Sequence, residues 1–205
     1  MNSNSHVKIL KMVQIAFLAA VEIVLTLLYI PVGTINLNFG LVPIVIAGVF
    51  LGPITGGLIG AVSGIVTMIQ VLTGQSPFYV FLVATNPVMA SLLCIVKTGA
   101  AGLLSGLVYR LFGTFSKYKT PNVIAAAAVC PIVNTGVFAL GMLTVFGNAL
   151  MADPVISTWT TGGLIALVFV VLIGINFFVE LISTVIISPA LSNALFSSKL
   201  IKNTK

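Results

Sequence analysis

Three ionisable side chains stand inside otherwise apolar runs of this chain: Glu22, Lys97 and Glu180. A charge in an apolar medium is costly, so such residues pair with one another or mark a functional site. Two amides accompany them. Asn134 and Asn176 each lie deep in an apolar segment, and Glu180 follows Asn176 by one helical turn, on the same face. A lysine offers an ammonium to an anion, and amides offer both donors and acceptors to hydroxyl groups. Two arrangements satisfy these residues. In one, Lys97 bridges to Glu22 or Glu180 and closes a helix bundle from within. In the other, Lys97, Asn134 and Asn176 line a polar pocket for an anionic ligand that carries hydroxyls. Gln75, Tyr79 and Asn86 come just before or at the head of the Lys97 segment and are expected at the mouth of such a pocket.

The residue types that are missing narrow the chemistry. His6 is the single histidine and sits in a polar N-terminal stretch, which argues against histidine-based catalysis and His-rich metal sites. No GxxxxGK[ST] motif is present, so ATP is not bound through a P-loop. Three acids in total leave no cluster for Mg²⁺-assisted phosphoryl transfer. No catalytic residue, metal site or cofactor is therefore expected. Cys94 and Cys130 lie in apolar segments without CxxC spacing and read as packing residues.

The elements that position these groups follow from composition. Of the 205 residues 59% are hydrophobic and 6% charged, against about 25% charged in soluble domains. From Ile23 to Val96 there is no Asp, Glu, Lys or Arg. About 20 such residues span a hydrocarbon core ~30 Å thick. A β-barrel strand alternates apolar and polar positions, which these segments do not. Helices remain, because lipid offers no partner to unpaired backbone groups. The fold class is all-α: a polytopic membrane protein of about six transmembrane helices.

The expected segments are Met12–Ile30, Phe39–Leu51, Leu58–Leu72, Pro87–Leu111, Pro121–Val145 and Gly162–Leu195. Phe39–Leu51 is short for a crossing. Pro31, Gly33, Asn36 and Asn38 mark an outer loop, and Gly52, Pro53, Gly56 and Gly57 a tight inner turn. Phe78–Val83 reads as an interfacial segment, and Gly147–Thr161 as the longest outer loop. The domain layout is a cytoplasmic tail at 1–11, a six-helix transmembrane domain at 12–198 and a basic cytoplasmic tail at 199–205. At ~1.5 Å rise per residue, Lys97, Asn134 and Asn176 all fall roughly 15–21 Å from the outer ends of their helices.

Orientation comes from the basic residues. All except Lys97 fall in three clusters: Lys8 and Lys11; Arg110, Lys117 and Lys119; and Lys199, Lys202 and Lys205. The clusters share one side only if the crossings between them are even in number, which places both termini in the cytoplasm. The net charge of +6 flanks apolar segments and forms no basic groove, so no nucleic acid is expected. The surroundings are membrane lipid.

Small residues recur at helical spacing. Gly48, Gly52, Gly56, Gly60 and Gly64 come every four residues, but Pro53 prevents one continuous helix face. They read either as close packing around a turn or as a docking surface. Ala16 and Ala20 in Ala16-Phe17-Leu18-Ala19-Ala20 form a second small-xxx-small pair, near the cytoplasmic end of the first segment.

Taken with Gly52-Pro53-Ile54-Thr55-Gly56-Gly57 and Cys130-Pro131-Ile132-Val133-Asn134-Thr135-Gly136, the layout resembles the S components of energy-coupling factor (ECF) vitamin transporters. The resemblance spans about Lys8 to Lys199, and the last motif looks like the pantothenate-type members. It implies a membrane subunit that does no chemistry. It would bind a small water-soluble vitamin from outside in a cup closed by outer loops, join an ECF transmembrane scaffold subunit and two cytosolic ATPases, and topple to deliver the vitamin. Ala16 and Ala20 match the scaffold-docking motif of that family. The alternatives are an S component for folate, riboflavin or a pyridoxine-like vitamin, a standalone secondary carrier, and a membrane-embedded lipid enzyme.

Overall fold

The computed structural model describes residues 3–28, 30–32, 35–37, 39–115 and 118–197. The expected basic tail at 199–205 lies outside the described residues, as does Lys117. The helices are α1 (Ser3–Leu27), α2 (Leu41–Phe50), α3 (Pro53–Leu72), α4 (Pro77–Thr85), α5 (Pro87–Phe115), α6 (Lys119–Thr144), α7 (Gly147–Ala152), α8 (Gly163–Ala166) and α9 (Gly174–Ser197). A π-helical stretch, Leu167–Ile173, joins α8 to α9, so Gly163–Ser197 forms one long apolar segment. Among the described residues five segments are long and apolar enough to cross a membrane: Val7–Leu27, Pro53–Leu72, Pro87–Thr114, Lys119–Thr144 and Gly163–Ser197. The polytopic all-α architecture holds.

The second segment differs in length. α2 has 10 residues, or ~15 Å of helix, about half a hydrocarbon core. The reason is its place in the bundle. Every residue from Leu41 to Val49 is buried, and α2 packs against α1, α3, α5, α6 and α9. A helix sheathed in protein need not match the thickness of lipid. The chain enters it through a short antiparallel hairpin, Ile30–Val32 (β1) with Ile35–Leu37 (β2), where an irregular loop was expected.

Other boundaries shift for local reasons. α1 starts at Ser3, so helix takes up most of the stretch read as a tail. The turn between α2 and α3 is confined to Leu51 and Gly52. Gly52 has φ 104, a left-handed conformation that only glycine adopts readily. Pro53 then opens α3 at a position where its missing N–H costs nothing. Gly56 and Gly57 therefore belong to the helix. The segment expected at the interface is α4, whose Ser76 cap accepts from the Tyr79 N–H at 3.2 Å. Phe78 and Leu82 bury it in the core instead of leaving it at a surface. The longest outer loop folds into α7 and a 3₁₀ turn at Ile156–Trp159. Asp153 caps that turn, its carboxylate accepting from the N–H groups of Val155 and Ile156.

The glycine ladder is a packing device. α3 runs antiparallel along α5, and Gly56, Gly60 and Gly64 meet the α5 backbone at Gly102, Thr98 and Ile95. A Cβ on Gly56 would stand 2.6 Å from the Gly102 oxygen, and one on Gly64 would stand 2.5 Å from the Ile95 Cα. Gly48 on α2 meets Gly106 in the same way. Gly52 is the turn between the two halves of the ladder, next to the Arg110 guanidinium at the end of α5.

One end of the bundle gathers the basic residues. The Phe50 and Phe196 rings, at the ends of α2 and α9, lie 4.7 Å apart. Lys119, which starts α6, sits over Phe196 at 4.6 Å. With Arg110 beside Gly52, this joins the α2–α3 turn, the α5–α6 junction and the end of α9 on one side. Hydrophobic packing divides along the same axis. A cluster of Ile44, Val45, Ile59, Val123 and Ala127 fills the basic half. A second cluster, with Phe78, Met142, Phe146, Leu150 and Leu172, fills the other.

Candidate ligand-binding site

A cavity opens in the half of the bundle away from the basic end. Its free volume is about 80 Å³, below the ~300–1,000 Å³ usual for small-molecule sites, so a vitamin-sized ligand enters only as the wall gives way. Six helices and the π-helical stretch build its wall, with Leu41 coming from α2. α3 contributes Ser63, Thr67 and Val71, and α4 contributes Tyr79 and Leu82. α5 contributes Leu93, Cys94, Lys97 and Thr98. α6 adds Asn134, Thr135 and Phe138; Ile173 follows from the π-helical stretch, and α9 supplies Asn176 and Glu180.

The wall carries a specific polar arrangement. Glu180 is 5% exposed and accepts two amide hydrogen bonds. Asn134 Nδ2 donates to its Oε2 at 3.3 Å, and Asn176 Nδ2 donates to its Oε1 at 3.2 Å. The Oδ1 atoms of both asparagines are buried with no hydrogen-bond partner. Lys97 is half-buried, and its ammonium lies 5.4 Å from the centre of the Phe138 ring. That is a cation–π distance. No carboxylate among the described residues stands at ion-pair distance from Lys97. The internal bridge to Glu22 or Glu180 is therefore not formed. Glu22 lies elsewhere, fully buried between α1 and α3, where the Thr26 hydroxyl donates to it at 2.5 Å. Gln70 braces the same spot by donating to the Thr26 carbonyl at 3.2 Å.

A half-buried cation, unpaired amide oxygens and apolar walls of Val71, Leu82, Leu93 and Ile173 can hold a small organic anion. They hold no nucleophile–base pair, and no group of three or more His, Cys, Asp or Glu among the described residues could bind a metal. The family model for the substrate-specific component of ECF transporters matches residues 10–192 of the chain.

The chain belongs to that family.

No curated protein matches this S component. Among solved structures it is similar to the S component of a bacterial ECF transporter, with a TM-score of 0.57 and 19% identity, over 90% of this chain and 96% of the other. At that identity the likeness bears on the fold, and it supports the same multi-pass, all-helical architecture. An S component is the substrate-specific part of a transporter and not an enzyme; membership of the family implies association with an ECF scaffold and ATPases.

Of the expected site residues, Lys97, Asn134, Asn176 and Tyr79 come together in the wall of the cavity. Asn86 and Gln75 do not line it. Asn86 is the cap of α5, its side chain accepting from the Met89 N–H at 3.0 Å. Gln75 is exposed in the turn after α3. Sequence reasoning passed over Ser63, Thr67, Thr98 and Thr135, whose small hydroxyls carry no signal in an apolar helix, and it gave Glu180 no place in the pocket wall. Ala16 and Ala20 are exposed on α1, together with Val13, Phe17 and Val24 at helical spacing. Among the described residues nothing covers that face.

Proposed function

We propose that this S component captures a small, water-soluble, carboxylate-bearing vitamin from outside the cell, with pantothenate the best fit, for ATP-driven uptake. Lys97 carries the reading. A half-buried ammonium needs a counter-charge, and no carboxylate among the described residues stands at ion-pair distance from it. The ligand's carboxylate fills that role, while Asn134 and Asn176 face its hydroxyl and amide groups. The positive-inside rule sets the basic end in the cytoplasm, so the cavity half faces out. Ala16 and Ala20 offer the scaffold a surface where two helix backbones approach closely. The test is a thermal-shift screen of the purified protein against water-soluble vitamins. Pantothenate should raise the melting temperature most; stabilisation by riboflavin, folate or a pyridoxine-like compound in its place would reassign the ligand.

Lys97→Met separates the ligand's contribution from the fold's. A charge-assisted hydrogen bond contributes ~1.5–3 kcal/mol, so affinity for the carboxylate ligand should fall roughly 10- to 150-fold. The melting temperature without ligand should change little, because Met fills similar volume and Glu180 keeps both of its amide donors. A stable variant with unchanged affinity would remove Lys97 from the site.

A further inference from the structure

The amides of Asn134 and Asn176 are not free to present either end to a ligand. A carboxylate has only acceptors to offer, so each amide bound to it must turn its NH₂ group inward. Glu180 takes one such bond on each oxygen, at 3.3 Å from Asn134 and 3.2 Å from Asn176. The consequence is seen at the opposite ends of the amides: both Oδ1 atoms are buried and unpartnered. Buried acceptors left without a donor are costly. Asn134 and Asn176 both line the cavity, and their oxygens have almost no accessible surface, so a ligand that widens the cavity meets a standing demand for donors there.

We propose that Glu180 is a positioning residue that sets the polarity of the site: it locks Asn134 and Asn176 as acceptors, so the ligand must present O–H or N–H donors to them, away from the anionic group held by Lys97. The substrate class is a polyfunctional acid with a donor-rich end. An acid of the same size whose groups at that end only accept, or are apolar, is rejected, because it leaves both Oδ1 atoms unpaired. This rests on the cavity being the ligand site, as proposed above. It adds a sense to the recognition that the amides alone do not have, since an unrestrained asparagine satisfies a donor or an acceptor by rotating.

The experiment uses three probes on the purified full chain, read by calorimetry and thermal shift: pantothenate, its analogue with the hydroxyls replaced by hydrogen, and its analogue with the carboxylate reduced to an alcohol. The wild type should bind pantothenate roughly 5- to 150-fold more tightly than the deoxy analogue, the range for leaving a buried acceptor unpaired. In Glu180→Gln a side-chain NH₂ replaces one acceptor, occupies an asparagine oxygen and frees an amide to turn. The preference for pantothenate over the deoxy analogue should then shrink to about threefold or less. A merely structural role for Glu180 would weaken both ligands equally and keep the ratio, which would overturn the proposal. If Glu180→Gln does not fold, Asn176→Ala deletes one acceptor and should shrink the same ratio.

The probes also distinguish this inference from the reading beneath it. Equal wild-type binding of pantothenate and the deoxy analogue, with the alcohol rejected, overturns the donor requirement and leaves the carboxylate at Lys97. Equal binding of acid and alcohol, with the deoxy analogue rejected, overturns the role of Lys97 and keeps the donor requirement. Binding of none of the three overturns both.

Discussion

Cells that depend on this transporter should lose uptake when Ala20→Trp, or Ala16→Trp, is introduced, while the purified variant binds ligand as the wild type does. The separation follows from position. Both alanines are exposed on α1, on a stripe with Val13, Phe17 and Val24. The cavity wall is built from later elements, from α3 onward apart from Leu41 of α2, and takes nothing from α1. Both positions are exposed, so an indole there has room to point away from the described core. It does fill the groove that a small-xxx-small pair leaves for a second helix, where association depends on backbones approaching closely. Two measurements check the result: radiolabelled uptake in cells, and co-purification of the scaffold with the variant. Normal uptake together with a normal yield of scaffold would show that the docking face lies elsewhere.

Gly60→Leu should prevent folding altogether. A Cβ at that position collides with the Thr98 carbonyl oxygen and comes within 2.8 Å of its carbon and 3.2 Å of the Gly99 Cα. These are backbone atoms of α5, which cannot swing aside as a side chain does. Overpacking a core typically costs ~1–3 kcal/mol, and forcing two helices apart along a shared seam exceeds that, into the range above ~4–5 kcal/mol that few single changes reach. α5 also carries Lys97, so separation of the helices opens the site as well. The control lies within the same protein. A Cβ at Gly136 of α6 meets nothing within 4 Å, so Gly136→Leu should give normal yield and melting temperature. Size-exclusion profiles and thermal melts in detergent compare the two. A monodisperse Gly60→Leu protein melting near the wild type would mean that α3 and α5 do not pack as closely as their glycines imply.

Much of the candidate site was legible because a helix has a constant rise. Counting residues from the ends of three apolar segments put Lys97, Asn134 and Asn176 at similar depth, and in the folded protein all three line one cavity. Tyr79 joins them because α4 folds inward through Phe78 and Leu82. Asn86 and Gln75 were misplaced for local reasons. An asparagine before Pro87 has backbone N–H groups within reach, and capping α5 satisfies it without a pocket. Gln75 sits in a solvent-facing turn where nothing recruits it.

The partner of Lys97 was a question that depth alone could not answer. Glu22 and Glu180 lie at compatible depths, but depth says nothing of rotation around each helix axis. Packing turned Glu22 toward Thr26 and Glu180 toward the two amides, leaving the ammonium over Phe138.

The sequence by itself determined that this chain lives in a membrane, as helices, with its basic residues gathered toward one side. Those properties are sums over many residues, and no single contact can overturn them. It also revealed the glycine ladder, because small residues at a spacing of four mark a face whatever that face meets. Only the tertiary structure decided what the ladder meets, since Gly102 and Gly106 lie far along the chain from Gly48 and Gly56. It alone decided that α2 is a half-length helix buried on every side: lipid and protein core are both apolar, so a uniformly apolar segment does not say which surrounds it. And it alone decided that Asn134 and Asn176 turn their NH₂ groups to one carboxylate, because hydrogen-bond direction is set by neighbours in space, across helices that the sequence holds 46 residues apart.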